Sequence, residues 1–483
     1  MNWSPTLEDV KQWAEDEEIL RTDTIHPCGC GIKLDLEEVV YPALKEAHGT
    51  SGLGERVDSA AVEGRLVYRG REINHFGESD SHTSTNLNSV QQAHGRVVAG
   101  LVSLDRLFYV DPNASKQLFG KALSVMQKRM SESSIQFTKA HTIEAGGNFV
   151  LFDHFDVDAA SPSVFTYVNH DTIVTADSLL SPQSRLSVTI SLCNALNDLI
   201  VAGAHRELRV IPVVGGSTQQ REKMLFEMKR VVQMYRDGGV DIEVLDRPEE
   251  QISSIPMVGA TVVGTSDKRA TSFSGLQSGD VILVSRKVGD LSILAQHRSL
   301  WLEGKELPPT LRQLRLEVLS RMATPQFEIG ELVHRHLGRG LTFVTDLSGP
   351  GLSVLYEAAC ASGVDVLIDD ISFHDESYLH HYRRNHTSGT NGPILFACRP
   401  ERVDEIEADL RSVGCHEVWR LGSVKGQSSQ PTMILDPSLR RFSHEQNPRW
   451  DMFSPEVHFS GSGGAVRRRI PIFGRHRFRE EGV

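Results

Sequence analysis

The chain has 483 residues, 39% hydrophobic and 24% charged, which is ordinary for a globular protein with room for roughly two to four domains. Its formal charge of −12 excludes non-specific nucleic-acid binding by the chain as a whole, although residues 467–479 are locally basic and read as a solvated tail. Six cysteines, four of them scattered singly at 193, 360, 398 and 415, make no disulfide framework, so a reducing, cytoplasmic setting is expected. There is no 18-residue apolar run and no charged-then-apolar leader, so neither membrane insertion nor export is expected.

Residues 1–18 are acidic and amphipathic. The segment His26-Pro27-Cys28-Gly29-Cys30-Gly31-Ile32-Lys33 then sets thiols among glycines close to a lysine. Glycine allows positive φ and close approach to a ligand, and a neighbouring ammonium favours the nucleophilic thiolate. A C-x-C also suits an ordinary turn or half of a zinc site, but no second Cys/His pair at suitable spacing completes one. Apolar-periodic segments at 101–108 and 118–130 follow a polar loop at 81–92 rich in Ser, Thr, His and Asn. His75, His82, His94, His141 and His154 punctuate this region, with no pair at ligand spacing beside a third group.

Farther along, Asp156-Val157-Asp158-Ala159-Ala160 leads into a strand at 164–168, a turn at Asn169-His170-Asp171 and a second strand at 172–176 ending in Asp177. Two carboxylates thus stand at the ends of neighbouring strands. Residues 187–204 carry apolar residues at helical spacing and put Asn194 and Asp198 on one face at i, i+4. Such oxygen donors suit Mg²⁺, which takes few carboxylates and completes its shell with water and substrate phosphates; each alone equally suits a cap or turn. A β-rich run at 209–214 ends in Gly215-Gly216, and a periodic helix at 220–237 is closed by Gly238-Gly239. The apolar strand 281–284 follows Gly279-Asp280. Thr345-Asp346-Leu347-Ser348-Gly349-Pro350-Gly351-Leu352 precedes a helix of small residues at 354–361 and a strand at 364–368. Gly-x-Gly at a helix start presents N–H groups to phosphate or simply makes a turn. Thr387-Ser388-Gly389-Thr390-Asn391-Gly392-Pro393 reads as a structural turn before a return strand.

The loop with His26, Gly29, Cys30, Gly31 and Lys33 resembles, at the same spacing, that of the selenide, water dikinase (selenophosphate synthetase) family; Ile32 replaces a second cysteine often seen there, and Cys28 lies outside the register. Asp158-Ala159-Ala160, Thr-x-Asp at 175 and Asn-Ala-x-x-Asp at 194 resemble the ATP and Mg²⁺ half of the wider PurM-like (AIR synthase-like) superfamily, and the segments around Asp280 and Asp346 resemble its second domain. Asp58-Ser59-Ala60-Ala61-Val62 also matches the first motif, but only Asp158 leaves the family's short interval to Asp177. The resemblance implies a two-domain α/β fold, each domain a mixed sheet with helices on one face, assembled as a homodimer. It implies Cys30 as catalytic nucleophile, Lys33 as catalytic cation, and His26, Cys28, Gly29 and Gly31 as accessory positions. Asp158, Asp177, Asp198 and Asp346 are then the Mg²⁺ ligands, and Lys33, Asp177, Asn194 and Asp198 meet ATP. The reaction implied converts ATP, selenide and water to AMP, orthophosphate and selenophosphate, with Cys30 handling selenium.

On this reading residues 1–39 hold the reactive loop, 40–145 an inserted module, 146–279 the ATP- and Mg²⁺-binding domain, 280–436 the second domain and 437–483 the basic tail. The insertion is much longer than anything at that point in the family. The family's triphosphate loop is replaced by Glu243-Val244-Leu245-Asp246-Arg247-Pro248-Glu249-Glu250, whose acids repel phosphate. That departure keeps two rivals open: a superfamily relative that acts on a sulfur species or a small metabolite, and a non-catalytic scaffold. Against the scaffold stand the clustered carboxylates, which it has no physical need to keep.

Overall fold

The computed structural model describes residues 5–19, 65–68, 71–75, 155–158, 165–173, 175–177, 179–245, 248–252, 256–271, 274–302, 305–349, 351–381 and 386–442. The chain begins with α1 (Leu7–Ile19), whose start is tied by Thr6 and Asp9 through a 2.8 Å backbone N–H to carboxylate bond and its 3.1 Å reciprocal. The hairpin of β1 (Arg65–Tyr68) and β2 (Arg71–His75) stands as a two-stranded sheet.

A first mixed sheet follows, made of β3 (Phe155–Asp158), β4 (Phe165–Ile173), β5 (Arg206–Gly216), β6 (Ile242–Val244), β7 (Glu249–Ile252) and β8 (Met257–Ser266). Its order is β3-β4-β8-β5-β6; β5 pairs antiparallel with β8 and parallel with β6 and, farther along, with β7. The acidic stretch at 243–250 thus contributes to two short strands along one edge of β5, with Arg209 pairing Glu243 at 3.5 Å.

The second mixed sheet contains β9 (Val281–Val284), β10 (Leu341–Asp346), β11 (Val364–Ile368), β12 (Ile394–Cys398), β13 (Trp419–Gln427) and β14 (Met433–Leu435) in the order β10-β12-β9-β13-β11-β14. Neighbours are antiparallel except β11 and β14. Both faces of this sheet are buried. Leu283, Val344 and Phe396 join the core shared with the first sheet, whereas Ile282, Val284, Phe343 and Leu395 pack with Val354, Leu355, Ala358 and Ala359 of α7 (Ser353–Ser362). A run such as Val281-Ile282-Leu283-Val284 is apolar at every position for that reason.

Helix α2 (Arg185–Val201) lies between the sheets, packing on β4 and β8 and reaching β10. Ser184 caps it by accepting from the Ser187 N–H at 3.0 Å. Every residue from Leu186 to Val201 is buried, polar ones included. The Ser191 hydroxyl donates to the Val258 carbonyl at 2.7 Å and that of Thr189 to the Arg185 carbonyl at 2.8 Å, so burial does not strand them. Helix α3 (Thr218–Asp237) carries a full capping box between Ser217 and Gln220 and packs on α2. Helices α4 (Asp290–Leu302), α5 (Pro309–Met322) and α6 (Phe327–His336) follow β9, and α8 (Val403–Ser412) follows β12.

Candidate functional site

Strand β4 runs unbroken from Phe165 to Ile173, pairing with β8 at each position, so the turn expected at Asn169-His170-Asp171 is instead the middle of a strand. Ladder pairing along its whole length outweighs the turn preference of Asn and Asp. Alternation sends Asn169 and Asp171 toward α2 and His170 to the opposite face of the sheet, where its Nδ1 meets the hydroxyl of Thr261, its register partner on β8, at 2.9 Å. Burial pushes the His170 imidazole down to about 3, so it is neutral near pH 7 and offers phosphate no charge.

On the α2 side, Asn169 Nδ2 donates to Asp198 Oδ2 at 2.7 Å and to the Ala195 carbonyl at 2.9 Å. Asn194 Nδ2 donates to Asp171 Oδ2. One turn along, Asn197 Nδ2 donates to Asp346 Oδ2 at 3.0 Å, which joins α2 to the end of β10. Gln326 Nε2 donates to Asn197 Oδ1 at 2.8 Å, and the Asn391 N–H donates to Asn194 Oδ1 at 2.6 Å. Asn194, Asp198 and Asp346, singled out in the sequence, therefore stand in one asparagine-rich seam between the two sheets. Asp171, Asn169, Asn197, Gln326 and Asn391 complete it and were not foreseen there.

Asp177 is held differently. Its Oδ2 accepts from Arg315 Nε of α5 at 2.7 Å and its Oδ1 from the Leu179 N–H at 3.0 Å, with both side chains of the ion pair almost wholly buried. Burial alone would raise this carboxyl, but Arg315, the Leu179 N–H and His297 together outweigh it and leave it below the ordinary range. Asp290 in the first turn of α4 is a second case: His374 Nε2 donates to its Oδ1 at 2.5 Å and Arg286 lies 3.8 Å from its Oδ2. There too burial is outweighed, by Arg286 and His374, and the carboxyl is lowered.

The Gly349–Gly351 loop is tied to the turn that follows residue 386. The Gly349 N–H donates to the Gly389 carbonyl at 2.9 Å, the Leu352 N–H to Thr387 Oγ1 at 2.8 Å, and the Ser388 hydroxyl to the Gly349 carbonyl at 2.7 Å. Two donors expected at a helix start are thus committed within the protein. Asp158 lies on β3 opposite Phe165, its side chain outside the described residues. His26, Cys28, Gly29, Cys30, Gly31 and Lys33 also lie outside the described residues, as do Asp58 and the segments at 81–92, 101–108 and 118–130.

The seam offers hard oxygen donors of the kind Mg²⁺ takes. Both hydrogens of the Asn169 amide are used, which leaves its buried Oδ1 with no hydrogen-bond partner among the described residues, beside Asp198. An oxygen-seeking cation fits that orphaned atom. Among the described residues no three His, Cys, Asp or Glu side chains gather into a ready-made ligand cluster, and Mg²⁺ often takes only one or two carboxylates. Among the described residues, no helix is long and apolar enough to cross a membrane.

No protein-family model matches the chain, and no curated protein does. Among solved structures it is similar to AaThiL complexed with AMPPCP and TMP, at 17% identity over 65% of this chain and 92% of that one, with a TM-score of 0.44. It is similar to the hydrogenase maturation protein HypE in complex with ATP at 16% identity, covering 59% of this chain and 85% of the other, with a TM-score of 0.43. With thiamine-monophosphate kinase from Stenotrophomonas maltophilia K279a it shares 18% identity over 60% of this chain and 90% of that one, with a TM-score of 0.44. The α/β architecture of two mixed sheets with packed helices stands on the strand pairings themselves.

Proposed function

We propose that the chain is an ATP-dependent phosphotransferase of the PurM-like kind, and that the acceptor is selenide. The observation that carries this reading is the buried seam in which Asp198 of α2 and Asp346 of β10 meet side-chain amides, Asn169 and Asn197, at the junction of the two sheets. Carboxylates that hold Mg²⁺ against ATP would neutralise the charge that develops as a phosphoryl group moves. Asp198 and Asp346 come first in that set, with Asp158 as a further ligand; Asp177 comes last, because Arg315 and the Leu179 N–H take both its oxygens. The Cys30–Lys33 motif supports selenide: a thiolate beside an ammonium can hold and deliver a soft chalcogen nucleophile. The five-part division of the chain, a homodimeric assembly and a cytoplasmic setting belong to the same proposal.

A second reading, another acceptor such as a sulfur species, is favoured by the acidic edge strands at 243–250, where the family binds triphosphate. The test is ³¹P NMR of the full chain with ATP, Mg²⁺ and selenide under anaerobic reduction, beside a sample lacking selenide and a Cys30→Ala variant. A selenide-dependent phosphorus signal formed with AMP, and lost in the variant, supports the selenide reading. ATP consumption indifferent to selenide moves the second reading to first place, and absence of any consumption overturns both.

A further inference from the structure

The seam's asparagines are oriented from outside. A backbone N–H can only donate, so the 2.6 Å contact from the Asn391 N–H fixes Asn194 with its oxygen toward residue 391 and its NH₂ toward Asp171. A backbone carbonyl can only accept, so the 3.1 Å contact to the Gly392 carbonyl fixes the NH₂ end of Gln326, which also donates to Asn197 Oδ1. That in turn directs the Asn197 NH₂ to Asp346. Both asparagines are therefore pinned by one turn, and both face a carboxylate.

The turn is itself anchored. Asn391 sits at φ 51°, in the left-handed region that Asn tolerates better than most residues, and is wholly buried. Its Nδ2 donates to the Met322 carbonyl at 2.8 Å and the Thr324 carbonyl at 3.0 Å, while its own carbonyl accepts from Arg286. Gly392 has no room for a side chain: a Cβ there would lie 2.6 Å from the Ser348 nitrogen.

We infer that the Asn391–Gly392 turn, with Gln326, is a positioning device that sets the donor faces of Asn194 and Asn197 against Asp171 and Asp346, holding carboxylates of the two sheets in register. This rests on the reading of the seam as the ATP site. Asn391 and Gln326 act through the α2 amides and need not touch substrate. Displacing the turn frees each amide to rotate and turn its oxygen to the carboxylate, which weakens the geometry on which an in-line transfer depends.

Two variants separate the parts. Asn391→Gly keeps the left-handed backbone and its N–H but loses the side-chain anchors; Gln326→Leu removes the donor to Asn197 and leaves the turn's own backbone intact. Each is expected to lower kcat for Mg²⁺-dependent ATP consumption about tenfold, with the Kd of Mg²⁺·ATP changed less than about twofold. A merely structural role would lower Tm and the active fraction while leaving kcat per active molecule unchanged, and that result overturns the inference.

A second measurement needs no turnover. In full-length protein labelled with ¹⁵N at asparagine, the side-chain NH₂ signals of Asn194 and Asn197 are assigned by their loss in Asn194→Asp and Asn197→Asp. Asn391→Gly should shift the Asn194 signal and speed its exchange, and Gln326→Leu should do the same to Asn197. Unmoved signals in the folded variants overturn the lock even if wild-type protein consumes ATP. Paired shifts in a protein that neither binds nor consumes ATP keep the lock and overturn the nucleotide reading instead.

Discussion

Asp177 and Asp346 are both buried, yet they are served by different chemistry. A guanidinium at 2.7 Å gives Asp177 a hydrogen bond and cancels its charge; an asparagine amide at 3.0 Å gives Asp346 a hydrogen bond and leaves its charge in place. Among the described residues no ion pair reaches Asp346. Hydrogen-bond satisfaction and charge neutralisation are thus separate operations, and a core that performs only the first keeps an anion available to a cation. Asp290, with His374 and Arg286 on its two oxygens, falls with Asp177. Under the proposed function, the contrast divides the carboxylates into those that hold the helices together and those that would bind a cation.

The sharpest way to break that division is Arg315→Leu, which leaves a buried carboxylate without its cation and should cost about 3–5 kcal/mol in denaturant unfolding. The double variant Arg315→Leu/Asp177→Leu should recover most of the loss. A pH series gives the sign: the Asp177 carboxyl is lowered in the fold from its ordinary 3.8, so its contribution is complete above that value and is lost as pH falls through the lower folded one. Wild-type protein should lose that increment in acid, and the double variant should not. Asp346→Asn is next: it keeps shape and removes charge, so ATP consumption should fall on the order of a hundredfold while unfolding free energy shifts by less than about 1 kcal/mol. A large stability loss with activity retained would place Asp346 with Asp177.

Gly392→Ala should cost about 1–3 kcal/mol, because the added methyl meets backbone at Leu347 and Ser348, and it should depress activity through the amides as well. Ser217→Ala is the control. Its side chain bonds within the capping box and to none of these carboxylates, so the change removes half of the α3 capping box and should cost about 1 kcal/mol in a thermal or chemical melt, with turnover by the folded protein unchanged. Activity that fell with it would mean that any loss of stability erodes the site.

Helix α2 was legible as an element because its apolar residues recur at helical spacing, and the alternating strands and helices of the second half were legible because Gly, Pro and capping residues punctuate them. The seam was only half legible. Asn194 and Asp198 carry a visible i, i+4 relation, but Asn169 and Asp171 read as a turn because their local composition is that of a turn; the β8 ladder that makes them strand is ninety residues away. Arg315, Gln326 and Asn391 could not be matched to their partners from spacing at all, since each partner lies on a distant element. Only Asn391, followed by glycine before an apolar strand, carried a signal: Asn-Gly there favours the left-handed conformation it adopts. For the N-terminal loop the sequence alone speaks, since Cys30 and Lys33 lie outside the described residues.

Helix α2 has no solvent face from Leu186 to Val201. Its sides are shared between β4 and β8, α3, and the second sheet through β10, so neither half can melt without baring apolar and amide surface that belongs to the other. Partial unfolding that would leave one sheet standing is thereby made costly, and residues 155–442 should denature as one cooperative unit, in a single calorimetric transition, rather than as two domains in succession.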